Sequence, residues 1–252
     1  MNNYIRFTPD EVPYGMLERY GLTQQMLEDL PKCVMQRFLT GQPTPALPVV
    51  SENIEGIKTV TPTRITLVRL SDGTVDVSFA PRWTDKDLSD FTAEQQDNLL
   101  KGNVIVTEMP NKGKCFLQFD DSINKVIGVP SILINKNISL LIRSYGLDDS
   151  YKATLEDGGV IEIKVNDQVV SAGIDLNEPS GIRTADGDII AWQQDANADR
   201  LPKYSFGLFG CWVADDSNIL TYVPEEQYDE DMEREFTRSG QANAAAQTMK
   251  MN

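Results

Sequence analysis

Residues Arg64-Ile65-Thr66-Leu67-Val68-Arg69-Leu70 and Val75-Asp76-Val77-Ser78-Phe79 flank the tetrapeptide Ser71-Asp72-Gly73-Thr74. Alternation with a period of two on both sides of an Asp-Gly is the pattern of a β-hairpin. Glycine accepts the backbone of a tight turn, and alternation gives each strand one face to bury. This segment commits the chain to antiparallel sheet. The signal recurs downstream. Strands are expected at about 103–109 and 114–120 around Asn111-Lys112-Gly113, and near 125–129, before an apolar run at 132–142. A second hairpin is expected from Tyr151–Leu155, the turn Glu156-Asp157-Gly158-Gly159 and Val160–Val165, with Asn166-Asp167-Gln168 leading into Val169-Val170. Asp186-Gly187-Asp188 precedes a strand at Ile189–Trp192, and Tyr204–Val213 and Ile219–Val223 follow. Turns about every 8–12 residues point to a sandwich or barrel in the back half.

The front of the chain reads differently. Met16, Leu17 and Tyr20 form a short apolar face stopped by Gly21. Thr23 suits the N-cap of a helix from Gln24 to about Leu30, because its hydroxyl can accept from a free first-turn amide. Pro31 opens a third helix carrying Val34, Met35, Phe38 and Leu39, with Gly41 as its stop. Pro43, Pro45, Pro48 and Pro62 mark residues 42–62 as an extended connector, and as a candidate arm for docking on another chain. A compact helix is expected between Thr92, with Gln95 completing a capping box, and Gly102. The expected fold class is therefore α+β. Short N-terminal helices pack on β-hairpins, and a mainly antiparallel β part carries an acidic tail. The expected domains are 1–144, 145–224 and a partly disordered tail at 225–252, with about 226–238 a marginal helix and 239–252 disordered.

Charge and residue types limit the chemistry. The 252 residues hold 38 acidic and 23 basic side chains, a net charge of −15, and no histidine. Residues 1–144 carry 17 acidic and 15 basic groups, whereas 145–252 carry 21 and 8. An acidic half repels a phosphate backbone, so direct nucleic-acid binding by the C-terminal half is not expected. Without histidine, Ser-His-Asp and Cys-His catalysis and histidine-ligated metal sites are excluded within this chain. Cys33, Cys115 and Cys211 form no C-x-x-C pair and read as three buried or half-buried thiols in a reducing cytoplasm. No apolar run approaches the length of a membrane helix, and the first residues do not read as a secretory signal. No P-loop, G-x-G-x-x-G or G-x-S-x-G is present, and no cofactor is expected.

Four features remain as candidate sites. Glu225, Glu226, Asp229, Glu230 and Asp231 form an acidic stretch that could occupy a basic groove on a protein partner. Asp195, Asn197 and Asp199 alternate as calcium ligands do, but Arg200 and Phe206 stand where a calcium loop needs Gly and Glu. Asp148-Asp149, Asp186/Asp188 and Asp215-Asp216 could pair for acid–base work, yet each falls at an expected turn, where Asp bonds its own backbone. Trp192, Phe206, Phe209, Trp212 and Tyr222 surround Gly207 and Gly210 as an aromatic zone, either core or binding face.

Several segments also carry a resemblance. They are Val12-Pro13-Tyr14 with Leu17-Glu18 and Gly21-Leu22-Thr23; Leu30-Pro31 with Leu39-Thr40-Gly41 and Leu47-Pro48; the hairpin from Leu67 to Phe79; and Phe91-Thr92-Ala93-Glu94-Gln95 with Leu99-Leu100-Lys101-Gly102. Over about residues 10–135 the chain resembles uncharacterised domains of proteins encoded on conjugative and other mobile elements of Bacteroides-type bacteria. The resemblance implies a bacterial, cytoplasmic, mobile-element protein and assigns no catalytic residue. The expected function is a non-enzymatic accessory protein that binds a basic protein partner through its acidic β module. The alternatives are a self-associating phage virion or assembly subunit and a carboxylate-dependent hydrolase.

Overall fold

The computed structural model describes residues 6–86, 88–166, 168–195 and 201–239. The fold is mixed α+β and rich in β-structure. Among the described residues it holds four three-stranded antiparallel sheets, each built from strands consecutive in the chain, and none is closed. The chain divides into two compact units, residues 1–82 with 201–252, and residues 83–200.

The first unit opens with three short helices, α1 (Tyr14–Arg19), α2 (Gln24–Glu28) and α3 (Lys32–Leu39). The Thr23 hydroxyl accepts from the Met26 amide at 3.3 Å and so caps α2. None of these helices is long enough to persist alone. Leu17, Leu27 and Phe38 are buried against Leu47, Ile65 and Leu67 of the first sheet, and that shared core holds them. The sheet comprises β1 (Leu47–Glu52), β2 (Lys58–Arg69) and β3 (Val75–Pro81). The Asp72-Gly73 hairpin forms as expected, with Arg69 opposite Val75, Gly73 at φ +88° and the Thr74 amide donating to Asp72 Oδ1 at 2.9 Å.

The second unit begins with α4 (Ala93–Leu100), capped reciprocally by Thr92 and Gln95. Three strands follow, β4 (Ile105–Met109), β5 (Gly113–Asp120) and β6 (Lys125–Pro130). The middle strand is buried on both faces. Cys115, Leu117 and Phe119 join Leu88 and Leu99 in one core cluster. Phe116 points the other way, into a larger cluster with Ile138, Leu155, Ile163 and Ile174. Those residues belong to α5 (Ser131–Tyr145), α6 (Asp149–Glu156), β7 (Ile161–Val165) and β8 (Gln168–Ile174), and β9 (Ile182–Asp186) completes the third sheet. The unit ends in α7 (Ile189–Asp195). The chain then returns to the first unit as β10 (Tyr204–Phe206), β11 (Gly210–Ala214) and β12 (Leu220–Pro224), followed by helix α8 at 230–239. Leu220 donates to the Ala46 carbonyl at 2.9 Å, and Trp212 is fully buried in the first unit's core. Among the described residues no helix is long and apolar enough to cross a membrane.

Four expectations need correction. The back half does not close into a barrel, and its two sheets, β7–β9 and β10–β12, belong to different units; Ile134, Ile138 and Ile142 of α5 lie in the core of the β7–β9 sheet. Tyr151–Leu155 is helix, since the Asp148 carboxylate accepts the Ser150 amide at 2.8 Å and caps α6. Ile189–Trp192 is helix for the same reason, with Asp188 Oδ1 accepting from Ala191 N at 2.9 Å. Residues 42–62 are not a connector, because 47–52 and 58–62 pair as strands. The charge step at 144/145 does not coincide with the unit boundaries. The first unit carries 18 acidic and 12 basic groups, net −6, and the second 20 and 11, net −9. Acidity is thus shared between the units. Residues 240–252, expected to be disordered, lie outside the described residues.

Candidate functional site

The outer part of the first sheet is built from two strands alone. Thr63 is the last residue of β2 to face β3, opposite Pro81, and Arg82 N then donates to the Pro62 carbonyl at 2.7 Å. Beyond that point β1 and β2 continue as a ribbon, with Val50 opposite Val60, Ser51 opposite Thr59 and Glu52 opposite Lys58. Val50, Thr59, Val60 and Thr61 favour extended backbone. The tip is pinned by Asn53, whose Oδ1 accepts from the amides of Glu55 and Ile57, both at 2.9 Å, and Gly56 takes φ +79°. Residues 51–60 are all exposed. Ile54 is wholly in solvent, and Ile57 and Val60 are 56% and 60% exposed.

A two-stranded ribbon is marginal in water without something to bury its apolar side chains. Its edge is poorly suited to strand addition, because Pro62 has no N–H and Lys58 places a charge there. What the ribbon offers is its aliphatic tip. Sequence reading found an arm here but not a hairpin, because four prolines masked the alternation. Pro48 and Pro62 in fact face each other across the register.

The five acidic candidates lie in the same unit. Glu225 and Glu226 begin a 3-10 turn, Glu225–Gln227. Asp229 caps α8, its Oδ1 accepting from Met232 N at 2.8 Å. Glu230 and Asp231 sit 3.8 and 3.2 Å from Arg234. All five are exposed. Negative charge in the first turn also offsets the positive end of a helix dipole, so part of this cluster serves α8 itself. Beside it an open groove of about 520 Å³ is lined by Lys203, Tyr204 and Phe206 and by Asp231, Arg234 and Glu235, two cations against two anions.

Of the aromatic zone, Trp212 is core with Tyr222 packed against it, Phe206 is half-buried, Phe209 is exposed and Trp192 belongs to the second unit; the buried part is organised around a residue the sequence reading did not single out. Asp29, at the end of α2, is buried. Its carboxylate accepts from Leu208 N at 2.5 Å, Phe209 N at 3.0 Å and the Tyr222 hydroxyl at 2.7 Å. Trp212 Nε1 donates to the Met26 carbonyl at 2.8 Å, one turn away on the same helix. Gly207 is required by this approach, since a Cβ there would lie 2.1 Å from Asp29 Oδ1. Burial, and then its hydrogen bond to Asp29, raise the Tyr222 hydroxyl well above its usual range. Burial, and then the neighbouring Cys211, push Tyr228 up to about 12. Burial also pushes the Cys211 thiol up to about 11, outweighing a backbone hydrogen bond from Ser205 that lowers it.

A thiol with a raised pKa is a poor nucleophile at neutral pH, because the thiolate is the reactive form. Cys33 is exposed, whereas Cys115 and Cys211 are buried. Iodoacetamide at pH 8 is therefore expected to modify Cys33 alone in the native chain and all three after denaturation. Rapid native modification of Cys211, read by peptide mass, would contradict this environment.

Three of the paired aspartates serve local structure. Asp148 and Asp188 are helix caps, and Asp215 Oδ1 accepts from Ser217 N at 2.9 Å and Ile219 N at 2.8 Å in the β11–β12 turn. Asp195 ends α7, while Asn197 and Asp199 lie outside the described residues. Among the described residues no group of three or more His, Cys, Asp or Glu side chains is arranged to hold a metal ion.

Residues 7–90 match the model of a domain family described as "Protein of unknown function (DUF4099)". The match covers a third of the chain and takes in the three N-terminal helices and the whole β1–β3 sheet with its ribbon. No curated protein and no solved structure matches.

Proposed function

We propose that this chain is a non-enzymatic protein-binding protein, an accessory component of a mobile element, and that the ribbon at 51–60 is its principal contact. One observation carries the reading. Ten consecutive exposed residues form one ordered hairpin end, with 51–52 paired to 58–59 and the turn pinned by Asn53, and the tip presents Ile54 and Ile57 to solvent with Val60 behind them. An ordered projection with an aliphatic end fits an apolar pocket on a partner, and burying each isoleucine there is worth about 1.5–3 kcal/mol. The acidic residues Glu225, Glu226, Asp229, Glu230 and Asp231 remain exposed on the same unit. They favour a partner whose surface around that pocket is basic, through faster encounter and correct orientation. The resemblance of residues 10–135 supports the mobile-element setting.

The test is site-directed photocrosslinking in a lysate of the source cell, with a photoreactive side chain at Ile57 or, as control, at the exposed Glu94. The expected result is one discrete protein attached through position 57, absent at position 94, and reduced about tenfold or more by Ile54→Ser with Val60→Ser. The yield should also fall with salt. Identical products from both positions would overturn the reading. Crosslinks joining only two copies of the chain would overturn it in favour of self-assembly.

A further inference from the structure

A second surface, in the other unit, carries an independent inference. Helix α5 turns Ile134, Ile138 and Ile142 into the core and packs against α6, β5, β6 and β9. At 100° per residue, Ile132, Leu133, Lys136, Leu140 and Arg143 fall within about 100° of arc on the opposite side. They run from Ile132 to Arg143, about 17 Å along the helix. Ile132 is 78% exposed, Leu133 62% and Leu140 50%, and both cations are exposed. The helix contains no acidic residue. Among the described residues neither Lys136 nor Arg143 lies within ion-pairing distance of a carboxylate.

We propose that this face of α5 docks an acidic amphipathic helix of a protein partner. Three aliphatic side chains at helical spacing supply the apolar half of such a helix-on-helix contact, their ridges packing between those of the partner. Lys136 and Arg143 select carboxylates on the partner. The setting discriminates against the other natural occupant of a basic amphipathic helix, an anionic bilayer. The surrounding unit has a net charge of −9, and a broad anionic surface meets that whole field, whereas a narrow helix meets only the two cations.

The experiment uses the full chain and three probes. The first is a labelled synthetic helix with Leu on one face and Glu on the other, the second its Lys counterpart, and the third phosphatidylglycerol vesicles. The Glu peptide is expected to bind at least about tenfold more tightly than the Lys peptide, and to weaken as salt rises from roughly 0.05 to 0.5 M. Lys136→Glu with Arg143→Glu should weaken it about tenfold or more, and so should Leu133→Ser with Leu140→Ser. Lys112→Glu with Lys164→Glu changes the same net charge at exposed positions outside α5 and should leave binding unchanged. If the double charge reversal unfolds the chain, Lys136→Gln with Arg143→Gln replaces it. Binding to vesicles alone, equal binding of the two peptides, equal loss in the Lys112/Lys164 control, or no binding of either peptide each overturns the proposal. Failure here leaves the ribbon's crosslinking test untouched, because the two surfaces lie in different units and share no residue.

Discussion

Asp29→Ala is expected to destabilise the first unit by about 3–5 kcal/mol. The substitution removes one acceptor and strands three donors, the amides of Leu208 and Phe209 and the Tyr222 hydroxyl. Bonds to a carboxylate are worth about 1.5–3 kcal/mol each, and the amides of the exposed Leu208–Phe209 turn recover part of that from water, which discounts the sum. Asp29→Asn does not restore the site, since the amide nitrogen would face a donor where the carboxylate presented an oxygen. Tyr222→Phe removes one donor along with its bond and should cost only about 1–1.5 kcal/mol. The order Asp29→Ala > Asp29→Asn > Tyr222→Phe, read from urea midpoints followed by near-ultraviolet dichroism of Trp212, tests the account. A loss below about 1 kcal/mol for Asp29→Ala would mean that the β10–β11 turn is held by packing alone.

That carboxylate shows where sequence reasoning stops. Local chemistry was legible wherever partners lie within a few residues. The Thr23 and Thr92 caps, the Asp72-Gly73 turn and the strands of the β4–β6 sheet all follow from short-range patterns. Asp29 and Leu208 are far apart in the chain, and nothing near either residue marks the pair. The available hint was Gly207. In an aromatic-rich strand region a glycine signals close approach of another group, and here that group is the carboxylate itself.

The misread helices have a related cause. Tyr151-Lys152-Ala153-Thr154-Leu155 satisfies strand alternation, but only Leu155 needed burial and the preceding Asp-Asp-Ser is a cap signal. Regular turn spacing placed the turns of the β2–β3, β4–β6 and β7–β8 strands, missed the β1–β2 and β10–β11 hairpins, and could not say whether the sheets stack on each other or under helices. The aliphatic tip of the ribbon was hidden for a different reason. Exposure of Ile54 and Ile57 depends on β3 ending at Pro81, a fact of register rather than composition.

Arg183→Ala in the second unit is expected to cost about 3–4 kcal/mol. Arg183 is buried on β9, with Nε 3.2 Å from Asp175 Oδ2, Nη2 donating to the Trp192 carbonyl at 3.0 Å, and the guanidinium 4.0 Å above the Trp192 ring. Trp192 is itself fixed by Gly173, where a Cβ would lie 2.7 Å from its ring, and by its Nε1 bond to the Arg183 carbonyl at 3.3 Å. Removing the cation leaves a largely buried carboxylate without its charge partner, and breaking a buried pair from one side typically costs about 3–5 kcal/mol. Arg183→Lys should recover little, because a lysine cannot stack a planar group on the indole while bonding in two directions. Arg183→Met with Asp175→Asn removes both charges, keeps much of the volume, and should be less damaging than Arg183→Ala alone. Because the pair is shielded from solvent, its contribution should change little with salt, in contrast to the salt-dependent contacts expected of α5 and the acidic segment. A double-mutant cycle with no coupling between Arg183 and Asp175 would refute the assignment. It would leave the stacking on Trp192 as the reason that this arginine is buried.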